Sequence, residues 1–131
     1  MANVEEYVPA HPMRIAVFIS GTGTNMVAII NAIKAGELDA EIELVVSSNT
    51  KAKGIARAQE EGLETLVLEP ADYERPLDVD ARLVKELQDR NVDYVVMAGY
   101  MRKVTPVLLD AFPNRVVNLH PALLPKPRGA H

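Results

Sequence analysis

Two polar residues near the end of the chain, Asn118 and His120, have the spacing and the chemistry of a catalytic pair. They lie in a largely apolar run closed by Pro121, which predicts a buried strand that ends at His120. Side chains alternate faces along a strand, so these two point the same way. The amide can donate hydrogen bonds to a developing oxyanion, and the imidazole can exchange a proton near neutral pH. The pair predicts chemistry at a carbonyl, although a lone histidine at a strand end is more often structural.

A glycine-rich loop after the first predicted strand is a second candidate site. Its backbone N–H groups come at the start of a helix, an arrangement that suits a phosphate. The loop lacks the Gly-Lys-Ser/Thr ending of a nucleotide P-loop, and Met26 stands where a dinucleotide fingerprint has its third glycine. A tight turn that binds nothing is the alternative interpretation. The loop comprises Ser20, Gly21, Thr22, Gly23, Thr24 and Asn25.

The segment after the fourth predicted strand could form a wall for a flat ring, with cations nearby. It comprises Tyr100, Met101, Arg102 and Lys103, and the alternative is an ordinary loop with solvated charges. No metal site is predicted, because the chain has no cysteine and its three histidines lack the spacing of zinc ligands.

The elements that must position these residues alternate between strand and helix. Such a pattern predicts an α/β fold, a mostly parallel sheet with helices on both faces. The three candidate segments all follow or end strands, so they should share the edge at which ligands bind in such sheets. Strands are predicted at residues 14–19, 41–48, 65–68, 93–98 and up to 120, and a loop at 69–76. Helices are predicted at 26–36, 53–61, about 78–90, and from 105 or 106 to 111.

Length and charge bound the remaining possibilities. The 131 residues suffice for one domain, predicted at residues 13–131, after a flexible leader at 1–12. The net charge of −4 argues against a general nucleic-acid surface. The leader is not a signal peptide, and no window approaches the length of a membrane span, so we expect a cytoplasmic protein.

Three motifs taken together resemble the phosphoribosylglycinamide formyltransferases, folate-dependent enzymes of purine biosynthesis. They are Ser20–Asn25, the run Ala98-Gly99-Tyr100-Met101-Arg102, and the run from Asn118 through His120 to Lys126. The similarity covers residues 13–131 in the expected order. It implies a Rossmann-like formyltransferase fold and transfer of a formyl group from 10-formyltetrahydrofolate, the co-substrate, to glycinamide ribonucleotide.

The resemblance also implies roles for individual residues. The ribonucleotide phosphate would lie at Gly21, Thr22, Gly23, Thr24 and Asn25, and the folate along Tyr100, Met101, Arg102, Lys103 and Val104. Asn118 would stabilise the oxyanion, and His120 would donate to it or shuttle the proton. An arginine expected at the folate tail falls at Pro76, with Arg75 beside it.

The resemblance leaves part of the family pattern unmatched. A catalytic aspartate is expected well beyond the histidine, so we expect a truncated domain that is inactive alone. An exposed sheet edge would favour pairing with another copy, so a homodimer is a further hypothesis. Alternatives are methionyl-tRNA formyltransferase, formyltetrahydrofolate hydrolase, a nucleotide-binding oxidoreductase module, and a domain without catalytic function.

Overall fold

The computed structural model describes residues 12–119, which form five strands, four α-helices and one 3-10 helix. Runs rich in apolar residues form the central strands, and helices follow where apolar residues recur at helical spacing. The strands are β1 (Met13–Ile19), β2 (Ala40–Ser47), β3 (Thr65–Val67), β4 (Tyr94–Met97) and β5 (Val116–Asn118). The helices are α1 (Thr24–Lys34), α2 (Lys53–Glu60), α3 (Pro76–Asp89) and α4 (Pro106–Ala111), with the 3-10 helix at Pro70–Glu74.

The strands form one parallel sheet in the order β3-β2-β1-β4-β5. β1 lies at its centre and pairs with both β2 and β4. After β1 the chain builds one side of the sheet, and after β3 it crosses back and continues on the other side with β4. The parallel α/β sheet predicted from the sequence is confirmed, and the crossing gives it a switch point between β1 and β4.

Helices cover both faces of the sheet, as predicted. Phe18 of β1 packs in a cluster with Leu83 of α3 and Leu108 of α4. Its neighbour Val17 packs on the opposite face with Met26 of α1 and with α2. Because successive strand residues alternate faces, the apolar residues of β1 fill both cores at once.

Two local predictions are wrong. Residues 69–76 are not only a loop: they contain the 3-10 helix, and α3 begins at Pro76, earlier than predicted. Proline is compatible with the first turn of a helix, and the Glu69 N–H donates to Asp72 Oδ2 at 2.7 Å, which closes the turn. The strand β5 is half-exposed, not buried, as described below. The leader predicted at residues 1–12 lies, except for residue 12, outside the described residues.

Candidate functional site

The candidate site lies where β1, β4 and β5 end, at the carboxyl edge of the sheet. Phe18 pairs with Met97, and Met97 pairs with Asn118, so the three strands finish side by side. The glycine loop follows β1 and the segment 100–104 follows β4. The sequence prediction that these segments share one edge therefore holds for all the parts that the structure describes.

The glycine loop is packed tightly against the first turn of α2. Gly23 has a φ of +79° and caps α1, and a Cβ built on it would lie 2.9 Å from the Cα of Gly54. The Gly54 N–H also donates to the carbonyl of Gly21 at 3.0 Å. Glycine is required at 23 both by its backbone conformation and by this close approach. Gly54 was not identified from the sequence, because its importance arises only from this contact.

The polar groups of the loop are accessible. Gly21, Thr22 and Thr24 are exposed, and Asn25 is half-buried. The hydroxyl oxygens of Thr22 and Thr24 lie 2.8 Å apart. Among the described side chains none caps Gly23, so the first N–H groups of α1 are available to an anion, as a phosphate site requires.

Hydrogen bonds join the glycine loop to the segment after β4. The Ser20 hydroxyl donates to the carbonyl of Gly99, and the Asn49 side-chain amide donates to the carbonyl of Ser20 at 3.2 Å. The N–H of Met101 donates to Ser48 Oγ at 3.4 Å. Ser48 and Asn49 are not among the site residues predicted from the sequence. Both follow or end β2 at the carboxyl edge of the sheet, and that position is the signal that could have identified them as residues that hold the two loops in place.

The side chains of the segment 100–104 divide between core and surface. The ring of Tyr100 packs edge-on against Phe18 with centroids 5.0 Å apart, and burial, reinforced by the nearby Asp80, raises the pKa of its hydroxyl. Tyr100 therefore stays neutral at physiological pH. Arg102 stacks on the ring of Tyr73 at 3.8 Å, whereas Met101 is 79% exposed. Of the wall predicted for a flat ring, Tyr100 therefore belongs partly to the core, whereas Met101 is accessible to a ligand.

A small cleft opens between this segment and the start of α3. Arg75 does not line it: its side chain pairs with Asp78 at 3.6 Å and lines a neighbouring cleft, whereas Pro76 lines the first. The structure therefore brings Tyr100, Arg102 and Lys103 together but leaves Arg75 apart from them. The first cleft is lined by Leu68, Asp72, Tyr73, Pro76, Val79, Asp80, Tyr100, Arg102 and Lys103.

Asn118 is an exposed residue at the end of an edge strand. Within residues 12–119, β5 pairs only with β4, and Val117 is 41% exposed, so the prediction of a buried strand is wrong. The ladder continues one step further, because the Leu119 N–H donates to the carbonyl of Met97 at 2.8 Å. Asn118 is thereby held beside the end of β4. His120, its predicted catalytic partner, lies outside the described residues.

In the described part of the chain, no group of three or more His, Asp or Glu side chains could hold a metal ion. No helix between residues 12 and 119 has the length and the apolar character needed to cross a membrane.

A family model described as formyl transferase matches residues 13–131 of this sequence. The chain belongs to the formyl transferase family. The resemblance seen in the motifs is thereby confirmed. Phosphoribosylglycinamide formyltransferase of Haemophilus influenzae is 38% identical over 116 residues, which cover 88% of this chain and 55% of that protein. The trifunctional purine biosynthetic protein adenosine-3 of Gallus gallus is 32% identical over 130 residues, covering 99% of this chain and 13% of that protein.

Solved structures agree with this assignment. Glycinamide ribonucleotide transformylase 1 from Geobacillus kaustophilus is 41% identical and has a TM-score of 0.80, covering 90% of this chain and 64% of that one. The formyltransferase fold is therefore confirmed. The chain spans about half the length of the Haemophilus relative and a smaller part of the trifunctional protein.

Proposed function

We propose that the protein containing this chain transfers a formyl group from 10-formyltetrahydrofolate to the amine of glycinamide ribonucleotide, a step of purine biosynthesis. One observation carries the proposal: the glycine loop and the segment 100–104 lie side by side, joined by the Ser20–Gly99 hydrogen bond, with Asn118 at the end of a nearby strand. Two loops and a donor at one sheet edge suit a reaction between two substrates. The names of the formyltransferase relatives agree with this function.

The phosphate of the ribonucleotide would bind at the glycine loop. The backbone N–H groups at Thr24 and Asn25 stand at the positive end of α1, which favours a negative charge. The exposed hydroxyls of Thr22 and Thr24 add donors, and Gly21 and Gly23 let the backbone approach closely. These local donors are needed because the net charge of −4 does not itself attract an anion.

The folate would lie along Tyr100, Met101, Arg102, Lys103 and Val104. The exposed Met101 side chain offers apolar contact to a ring, and the two cations that follow it offer charge to an acidic tail. Arg75 is a second candidate for that tail. Its ion pair with Asp78 is exposed and 3.6 Å long, so a ligand carboxylate can replace it at small cost.

The reaction needs a donor for the oxyanion and a path for one proton. The glycinamide nitrogen attacks the formyl carbon and forms a tetrahedral intermediate, and the bond from that carbon to the folate nitrogen then breaks. The proton that leaves the amine ends on the departing folate nitrogen. Asn118 would donate its amide to the oxyanion, and His120 would donate to it or carry the proton.

The test is a formyl-transfer assay on the native protein, with its intact mass measured. We expect Asn118→Ala to lower kcat by roughly 100- to 1000-fold and His120→Ala by at least roughly 100-fold, with KM changed little. Asn31→Ala, which changes an exposed asparagine in the second half of α1, is the matched control. Wild-type kcat in both site variants would refute the catalytic roles. Formate release without a formylated ribonucleotide would favour a hydrolase.

We also propose that the chain pairs with a second copy through the edge of β5 to which no other described strand bonds. Val117 is 41% exposed there, and an unpaired strand edge with an apolar side chain favours further strand pairing. Light scattering coupled to size exclusion should then give twice the monomer mass at high concentration. A monomer at every concentration would refute this pairing.

A further inference from the structure

Asp80 is a buried carboxylate in the middle of α3. It is only 3% exposed, and it lies on the same buried side of the helix as Leu83 and Leu87. Burying a carboxylate is unfavourable unless hydrogen bonds replace its water. Asp80 Oδ2 accepts two such bonds, from the backbone N–H of Thr105 at 2.6 Å and from the Thr105 hydroxyl at 2.7 Å.

Thr105 links this carboxylate to the start of α4. Its hydroxyl oxygen accepts a hydrogen bond from the Val107 N–H at 3.2 Å, and Pro106 occupies the first helical position. The single hydroxyl therefore donates to Asp80 and accepts from α4. Thr105 is also the residue that follows Val104, the last of the segment 100–104. Two helices thus fix the end of that segment.

The beginning of the same segment is fixed by the sheet. The Ala98 N–H donates to the carbonyl of Phe18 at 2.8 Å, and Tyr100 packs against the ring of Phe18. Between Tyr100 and Thr105 the chain has no regular helix or strand. Within it, Met101 bonds to Ser48 and Arg102 stacks on Tyr73, but of these contacts only the anchor at Thr105 relies on a buried carboxylate.

We propose that Asp80 is a positioning residue for the folate donor, acting through Thr105 to fix the segment 100–104. This inference rests on the proposed function, in which the donor lies along that segment. Loss of the Asp80–Thr105 contact should leave the glycine loop unaffected, because that loop is held by Gly54, Asn49 and Gly99. The two substrates should therefore respond differently to the same substitution.

The first experiment separates the two Michaelis constants in the native protein. We expect Asp80→Asn and Thr105→Val to raise KM for the formyl donor by about tenfold or more, because losing a hydrogen bond to a charged group corresponds to a change of that size. KM for the ribonucleotide should stay within about twofold of the wild-type value. Thr105→Ser keeps both donors and should behave as wild type. Asp89→Asn, which changes an exposed acid of α3 in an ion pair with Lys85, is the matched control. Equal increases in both constants, or none, would overturn the proposal.

The second experiment does not depend on catalysis. Amide hydrogen exchange without substrates should accelerate selectively at residues 101–105 in both variants, with residues 21–25 unchanged. Uniform acceleration, or none, would overturn the positioning role even in an active enzyme. If wild type transfers no formyl group while exchange accelerates selectively, the proposed function fails and the anchoring of the segment stands. Should Asp80→Asn not fold, Thr105→Val alone decides both readouts.

Discussion

Glu43 is an acidic residue that the fold holds partly out of water. It is the extra residue where the register between β1 and β2 shifts, so it forms a β-bulge. Burial raises the pKa of Glu43, and the neighbouring Glu41 raises it further. The Arg14 guanidinium, whose Nη2 lies 3.3 Å from Glu43 Oε1, lowers it but does not cancel the effect of burial. The charged form of Glu43 is therefore less stable in the folded chain than in the unfolded one.

This pKa predicts how stability depends on pH. The relevant pH window lies between the ordinary pKa of 4.5 and the raised pKa of Glu43. In this window the folded chain retains a proton that the unfolded chain has released. The contribution of Glu43 to the free energy of unfolding therefore falls as the pH rises through the window. Glu43→Gln should abolish this part of the decline and raise the urea midpoint at neutral pH. Urea unfolding across the window measures it, with the exposed Glu37→Gln as control. A lower midpoint for Glu43→Gln would mean that the Arg14 ion pair outweighs burial.

At the scale of elements, the contact between α2 and the glycine loop predicts a second effect. In Gly54→Ala the new Cβ would lie 2.6 Å from Ile19 Cδ1 and 3.1 Å from the Cα of Gly23. Ile19 is fully buried and the second contact is backbone, so the loop must shift. We expect a loss of about 1–3 kcal/mol in the free energy of unfolding, partly offset by the better helix propensity of alanine. KM for glycinamide ribonucleotide should rise by about tenfold in a steady-state assay of the native protein.

A control separates the loop shift from general destabilisation of α2. Gln59→Ala changes an exposed residue near the end of the same helix and should alter neither stability nor KM. The interpretation fails if Gly54→Ala destabilises the protein but binds the ribonucleotide as wild type does. The close packing of the loop would then be structural only.

The elements themselves were largely predictable, and the errors have physical reasons. The apolar run predicted as a strand at residues 14–19 corresponds to β1, because a central parallel strand is buried on both faces. The run containing Val116 and Val117 looks similar in sequence, yet β5 lies at the edge of the sheet that the described strands form. Burial depends on which strands pair, and local composition does not carry that information. The 3-10 helix is not predicted because its first turn is closed by a hydrogen bond specific to Glu69 and Asp72.

At the scale of the whole molecule, the sequence predicts that the candidate segments share one sheet edge, but it does not predict the contacts that hold them there. Parallel strands place their carboxyl ends on one edge, so topology alone brought the glycine loop near the segment 100–104. The contact of Asp80 with Thr105 spans 25 positions in the sequence, and that of Ser48 with Met101 spans 53. Their residue types are common in exposed helices and turns. Only the packed structure distinguishes Asp80 from the solvated acids around it.

The same topology predicts how stability is distributed over this chain. β1 pairs on both sides, and its residues from Ala16 to Ile19 are fully buried, so its amides should exchange only on global unfolding. β5 pairs only with β4 among the described strands and is half-exposed. We expect its amides to exchange faster than those of β1 by roughly 100-fold or more, since a local opening suffices. Native-state hydrogen exchange of the 131-residue chain, read by mass spectrometry or NMR, measures the difference.

Measuring the same exchange at several protein concentrations tests whether two copies pair through β5. If a second copy pairs with β5, raising the protein concentration should slow exchange in β5 and leave β1 unchanged, because only the edge gains hydrogen bonds. The opposite edge, β3, is the internal control, since within residues 12–119 it too bonds to a single strand. Protection of β5 equal to that of β1 at every concentration would contradict the expected gradient. The edge would then be covered within the chain itself, and the proposed pairing of two copies would lose its physical basis.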